Sequence, residues 1–264
     1  MIFRIFESMK STLKLIFSIV ILTLYGLPSF AQGKVYTRKA RMADFPTCTT
    51  KIVSSGDSFL DIAFRKEIST RWRISPYEFC TPQEYDQLKT DNSLYFLYIG
   101  TDGGVCFLVL EKGGKEEAEN NLGRPFEVVR IPICSQSMPN GRELMYIGAY
   151  LDVLQAYTED AMVSEQAAYS GLKWYNKPFT GKTVCFEQDL SDTLFTEGRP
   201  DTIVSIYINP DEPGKDKKCF RMLISTDTHE LFYYKELPFK KGDEMPFSEK
   251  EKVRIGKKNT IIGE

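Results

Sequence analysis

Histidine is nearly absent from this sequence, whose 264 residues include a single one, His229. One imidazole excludes a zinc site built from two or three histidines, and any Ser-His-Asp or Cys-His site would have to include His229. The six cysteines never occur with CxxC spacing, which excludes the common zinc and redox motifs. His229 lies in a predicted turn, where a histidine is usually solvated. The sequence therefore predicts no catalytic, cofactor-binding or metal-binding residue.

The sequence also lacks an apolar run long enough for a transmembrane helix, which needs about 20 residues. The apolar stretch at 15–27 is shorter, follows three basic residues and precedes Ser29, Phe30 and Ala31. This order is typical of a secretory signal peptide. We predict signal peptide 1–31, cleavage after Ala31, a periplasmic or secreted protein, and no membrane span after cleavage.

Strong positive charge is missing as well, since the formal net charge is −2. Removal of the predicted signal would make the remainder more acidic, because it takes away more basic than acidic residues. A nucleic-acid-binding domain usually has a concentrated basic face, so we predict no nucleic-acid partner. Basic and acidic residues alternate through 240–258, which is typical of a solvated surface. We predict a polar C-terminal tail over 238–264.

The apolar patterning predicts an α/β (α+β-like) domain with a mixed sheet, β-hairpins, one long helix and shorter amphipathic helices. Leu60, Phe64, Ile68 and Trp72 recur every four residues and predict a helix from Asp57, with Phe59 and Ile62 beside its apolar face. Further local signals are a capping box at 81–84, a hairpin at 94–99 and 105–110, and strands at 73–80, 126–133, 183–186, 203–208, 219–226 and 230–236.

A long helix is predicted from an N-cap at Asn140, with Glu143 three residues later, to Ser170 and Gly171. A similar order of elements before and after it suggests an internal duplication, with halves at 45–136 and 137–236. Residue identity between the halves is low. A single α/β domain over 32–264 is therefore the prediction.

Six cysteines lie after the predicted cleavage site: Cys48, Cys80, Cys106, Cys134, Cys185 and Cys219. An even number in an oxidising compartment permits disulfides, and spacing alone does not choose among the many pairings. The apolar neighbours of Cys106, Cys134 and Cys185 indicate small hydrophobic residues on buried strands instead. Disulfide pairing stays open.

Two segments resemble ligand-binding motifs without completing them. The run at 180–183, Thr-Gly-Lys-Thr, resembles the end of a P-loop, but Asn176 replaces the leading glycine and a strand follows. The loop at 209–215 resembles a calcium loop, but Pro213 and Phe220 stand where ligands belong. Both are predicted to be ordinary connections.

Paired carboxylates can catalyse glycoside hydrolysis without a metal, and aromatic side chains can stack on sugars. The candidate pairs are Asp189 with Asp192 and Glu159 with Asp160; the candidate aromatic platforms are Trp174 with Tyr175 and Trp72 with Tyr77. Surface charge for the carboxylates and core-boundary packing for the aromatic residues are the favoured interpretations.

The segments 72–80, 95–99, 142–162 and 219–234 resemble those of uncharacterised exported proteins of Bacteroidota-type bacteria. The resemblance covers most of the chain after the signal, implies an envelope or secreted location, and brings no catalytic motif. We therefore expect a non-catalytic exported binding or structural module with an unknown protein or glycan partner. The alternative is a carboxylate-dependent hydrolase acting on envelope or host glycans.

Overall fold

The computed structural model describes residues 36–56, 58–137, 139, 141–240 and 247–263. Contacts group Tyr36–Glu264 into one compact unit. The predicted signal peptide at 1–31 lies outside the described residues, and so do Asp57 and Asn140, which were expected to begin helices.

The described residues contain seven α-helices and three short 3-10 helices. The α-helices are α1 (Arg38–Arg41), α2 (Ser58–Arg71), α3 (Pro82–Leu88), α4 (Arg142–Val163), α5 (Glu165–Ser170), α6 (Gln188–Glu197) and α7 (Glu249–Gly256). The 3-10 helices are Phe45–Thr47, Asn121–Gly123 and Gly171–Tyr175.

Ten strands form two five-stranded sheets among the described residues. The first sheet has the order β2-β1-β3-β4-β5, from β1 (Thr50–Val53), β2 (Tyr77–Cys80), β3 (Tyr95–Asp102), β4 (Val105–Lys112) and β5 (Phe126–Ser135). The second has the order β10-β6-β7-β8-β9, from β6 (Thr183–Cys185), β7 (Thr202–Ile208), β8 (Lys218–Ser225), β9 (Leu231–Pro238) and β10 (Thr260–Ile262). The predicted α/β class is confirmed, with two mixed sheets in place of the one mixed sheet that was predicted.

The two sheets have the same sequence of strand directions. In each, three neighbouring strands are parallel and two further strands extend the sheet as an antiparallel meander. The chain connects the strands of the two sheets differently. The outer parallel strand is β2, the second strand along the chain, in the first sheet, and β10, the last strand along the chain, in the second sheet. The internal duplication stays a prediction, since architecture without residue identity does not establish it.

One hydrophobic core joins both sheets and the long helix α4. Phe107 on β4 meets Phe220 on β8 edge to face, with ring centroids 5.3 Å apart. Tyr146 on α4 packs against Phe195 on α6 at 4.2 Å. Burial of large rings of this kind is the main favourable contribution to folding.

Local sequence signals located several elements correctly. Thr81 and Glu84 form the predicted capping box of α3, and Gly103 and Gly104, both with positive φ, turn the predicted β3–β4 hairpin. Pro132 lies on β5, an edge strand, where proline is tolerated.

Other predictions were wrong in their boundaries. The long helix ends at Val163 rather than Ser170, because Ser164 adopts an extended conformation and caps α5. The N-cap of α4 is Gly141, whose N–H donates to the Glu143 carboxylate at 3.1 Å. The predicted strand at 73–80 begins at Tyr77.

The helix α2 and the C-terminal segment also differ from the prediction. Phe59 and Ile62 are 78% and 68% exposed, so they do not belong to the buried face of α2. The predicted polar tail at 238–264 contains α7 and β10, and its Phe247 is fully buried. The alternating charges of this segment predicted a solvated surface. Instead, it contains the capped helix α7, one face of which packs on the second sheet.

Candidate functional site

The single histidine is engaged rather than solvated, contrary to the prediction. His229 Nδ1 lies 2.7 Å from Asp152 Oδ2, and the ring stacks on Phe195 with centroids 5.4 Å apart. Arg71 Nη1 donates to the same carboxylate oxygen at 2.7 Å. His229 has φ of 57°, a left-handed conformation that is uncommon for residues other than glycine.

His229, Asp152 and Arg71 line a cavity of about 550 Å³. A carboxylate-bound imidazole is the orienting half of a catalytic triad. Among the described residues no serine, threonine or cysteine hydrogen-bonds to His229, so the nucleophilic half is missing there. The same bonds tie the β8–β9 turn to α2 and α4, which is a structural role.

The candidate carboxylate pairs do not face each other across a cleft. Asp192 lies on α6 and accepts hydrogen bonds from Arg142 at 2.6 Å and Tyr146 at 2.9 Å. Asp189, expected near a strand end, also lies on α6 and is almost fully exposed. These contacts make Asp192 an ion-pair partner of α4.

Glu159 and Asp160 lie on α4 as predicted, with different surroundings. Asp160 accepts hydrogen bonds from Trp174 Nε1 at 3.1 Å and from the Tyr175 hydroxyl at 3.0 Å. Glu159 is half exposed, 3.8 Å from Arg73. The candidate platform of Trp174 and Tyr175 is therefore anchored to α4.

The two residues of the other candidate aromatic pair, Trp72 and Tyr77, lie in different surroundings. Trp72 is buried and donates from Nε1 to the Ser75 carbonyl at 3.1 Å, whereas Tyr77 packs edge to face on Phe79. The two motif-like segments are connections, as predicted. Residues 180–182 precede β6, where Lys182 pairs with Asp201, and 209–215 joins β7 to β8.

A larger cavity, of about 1050 Å³, lies beside the second sheet. Its walls are the segment 173–179, strand β9 and helix α7, and we refer to it as the basic groove. Six exposed cationic side chains line it: Lys173, Lys177, Lys250, Arg254, Lys257 and Lys258. None of the six forms an ion pair with any residue that the structure describes, so their charge is available to a ligand.

The floor of the basic groove is a buried charge network around Glu251. Its carboxylate accepts hydrogen bonds from Arg221 at 2.7 Å, Lys235 at 2.8 Å and the Tyr233 hydroxyl at 3.0 Å. Ser248 donates as well and completes the capping box of α7. Burial by itself raises the pKa of Glu251, but these hydrogen bonds outweigh it and lower the pKa to about 2.

Acidic groups inside the basic groove are already neutralised. Glu251 is held by Arg221 and Lys235, and Glu236 pairs with Lys218. Lys250 and Arg254 are four residues apart, which places them on one side of α7, and Lys257 and Lys258 follow the C-terminus of that helix. The groove therefore presents a cationic face on a chain whose net charge is negative.

Aromatic rings and two asparagines shape the walls. Half-buried Phe179 and Phe232 pack with centroids 5.1 Å apart, and Lys177 Nζ lies 3.9 Å from the centroid of the Trp174 ring. The Asn176 side chain bonds both the N–H and the carbonyl of Tyr234, which covers the free edge of β9. Asn259 bonds the Phe179 carbonyl at 3.2 Å.

Sequence reasoning missed the basic groove because its parts come from three distant segments. One signal was present: within 248–258, a capping box precedes cations at helical spacing. Among the described residues no group of three histidine, cysteine, aspartate or glutamate side chains is arranged to hold a metal ion. The helices that the structure describes are all too short or too polar to cross a membrane.

Comparison with protein-family models, with curated proteins and with solved structures finds no match to this chain. The basic groove and the His229 cavity are therefore interpreted from their own chemistry.

Proposed function

We propose that this chain is an exported, non-catalytic binding module whose basic groove holds an acidic glycan. The observation that carries the proposal is the set of six cations, none of them ion-paired with a described residue, beside half-buried aromatic rings. Carboxylate or sulfate groups of a polysaccharide would pair with the cations, and sugar ring faces would pack on Phe179 and Phe232.

Net charge favours a glycan over a nucleic acid as the ligand. The sequence pI is about 5.7, whereas domains that bind nucleic acid are usually basic overall. An export signal, if cleaved as predicted after Ala31, would deliver the groove to a compartment where acidic polysaccharides are found. The resemblance to exported envelope proteins is consistent with that location.

The hydrolase alternative has one observation in its favour, the bond between Asp152 and His229 beside a cavity. An Asp152→Asn variant tests it directly. Glycan turnover by the purified protein that disappears in this variant would replace the binding proposal with the hydrolase.

Binding is tested by titrating the purified protein with polygalacturonate and heparin, with neutral dextran as the uncharged probe. A triple variant, Lys250→Gln, Arg254→Gln and Lys257→Gln, removes three groove cations. We expect binding of the acidic chains, no binding of dextran, and at least about tenfold weaker binding by the variant, because several charge-assisted contacts are lost.

The matched control removes three exposed cations outside the groove, by Lys66→Gln, Lys115→Gln and Lys215→Gln. Both triple variants change the net charge equally. Equal weakening by the two would indicate nonspecific attraction and contradict a groove site. Tighter binding of single-stranded DNA than of any glycan would overturn the glycan assignment.

A further inference from the structure

Two of the six cysteines stand directly opposite each other in the first sheet. Cys106 on β4 and Cys134 on β5 are register partners of the antiparallel pair, and both are partly exposed. No other two cysteines are register partners within the described strands: Cys80 is paired with Val53, and Cys219 with Leu237. The structure thus singles out one pair that spacing along the chain could not.

We propose that Cys106 and Cys134 are a redox pair, which a disulfide-bearing oxidant converts into a disulfide that joins β4 to β5.

Strand geometry permits the bond without a change of fold. Opposite residues of an antiparallel pair have Cα atoms about 4.5 to 5.5 Å apart, inside the range of about 4.4 to 6.8 Å found for disulfides. The two thiols also lie close enough to shift each other's pKa. A register shift follows Cys106 immediately, and the local bulge leaves this pair at the end of a regular stretch.

The contact also makes the two thiols chemically different. Interaction with the Cys134 thiol lowers the pKa of Cys106, whereas interaction with Cys106 together with burial raises the pKa of Cys134. The thiolate is the attacking species in thiol–disulfide exchange, so Cys106 reacts first.

The reaction balances with a small or protein disulfide as the oxidant. The Cys106 thiolate attacks one oxidant sulfur, forms a mixed disulfide and releases the first oxidant thiol. Cys134 then loses its proton and attacks the Cys106 sulfur, which releases the second oxidant thiol. Two electrons and two protons pass from the cysteine pair to the oxidant, whose S–S bond is broken as the new one forms.

The disulfide would secure an edge strand. Among the described residues β5 pairs with β4 alone, and Pro132 donates no N–H to that ladder. A covalent link at Cys106 and Cys134 restricts the unfolded chain and so stabilises the folded state. We expect the midpoint of urea unfolding to rise on oxidation and to fall again on reduction.

The experiment uses the purified full chain, reduced and then incubated folded with oxidised glutathione. Remaining thiols are alkylated and the protein is digested with trypsin. The expected product is a disulfide-linked pair of tryptic peptides, 90–112 with 131–142, with the other four cysteines alkylated. A Cys80→Ser variant should give the same linked peptides.

Alkylation of both Cys106 and Cys134 after exposure to oxidant would overturn the proposal, as would a dominant link between any other two cysteines. Because wild-type protein is compared with itself in two redox states, the result does not depend on whether a Cys106→Ser variant folds. The assay involves neither glycan nor export, so its failure would leave the proposed function standing.

Discussion

Replacement of Glu251 by glutamine tests the buried network beneath the basic groove. The wild-type carboxylate has a pKa of about 2 in the folded protein, against an ordinary value of 4.5. At about 1.4 kcal/mol per pKa unit, its ionised form contributes about 3 kcal/mol to the free energy of unfolding at pH 7. Glu251→Gln keeps the shape and the helix cap but removes the carboxylate charge with which Arg221, 9% exposed, forms an ion pair.

The pH dependence has a definite sign. A folded-state pKa below the ordinary value gives stability that is complete above pH 4.5 and is lost as the pH falls toward 2. The variant has no titratable group at this position. The stability difference between wild type and Glu251→Gln should therefore be about 3 kcal/mol at pH 7, and about 2 kcal/mol of that difference should be gone at pH 3.

Urea unfolding followed by circular dichroism at several pH values measures this difference. Glu249→Gln on the same helix is the matched control, because Glu249 is 74% exposed and, among the described residues, pairs only with Lys252. We expect the control to change stability by less than about 0.5 kcal/mol at every pH. A Glu251→Gln difference that is small, or that does not shrink on acidification, would refute the reasoning.

Three further predictions, which use five substitutions, follow from local contacts, and each is measured as the change in free energy of unfolding. Tyr150→Phe removes a buried hydroxyl that has no partner among the described residues, so it should stabilise the protein by about 1 kcal/mol. Tyr146→Phe loses the hydrogen bond to Asp192 and should destabilise the protein by a similar amount. Equal effects of the two substitutions would contradict this difference in hydrogen bonding. Gly113→Ala places a Cβ against a backbone carbonyl and should destabilise the protein by about 3 kcal/mol. Gly103→Ala meets no neighbouring atom but keeps a left-handed backbone, so it should cost only about 1 kcal/mol. A Gly113→Ala variant as stable as the wild type would be inconsistent with the crowding at Gly113. His229→Asn tolerates the left-handed backbone but loses the contact with its carboxylate partner, so a loss of about 1 to 2 kcal/mol is expected and a gain would argue against it.

Structural features that depend on contacts among a few adjacent residues could be predicted from the sequence. The capping box of Thr81 and Glu84 and the turn at Gly103 and Gly104 depend on contacts within four residues, and the structure has both. The long helix was predicted too far, because the extended Ser164 ends it while the apolar pattern continues into α5.

Features that depend on contacts between distant segments could not be predicted. His229 meets Asp152 only because the β8–β9 turn packs on α4, 77 residues away in sequence. The pairing of Cys106 with Cys134 depends on the register of β4 and β5, which includes a bulge. Glu251 looked like one charge in an alternating run, and only the packing of α7 on the sheet buries it.

The most direct test of the basic groove is hydrogen exchange of the purified protein with and without polygalacturonate. Our account predicts slower exchange of backbone amides in 173–179, in β9 and in α7 when the acidic chain is added, and no change with dextran. Slower exchange confined to the His229 cavity, or no change anywhere under saturating polygalacturonate, would contradict it.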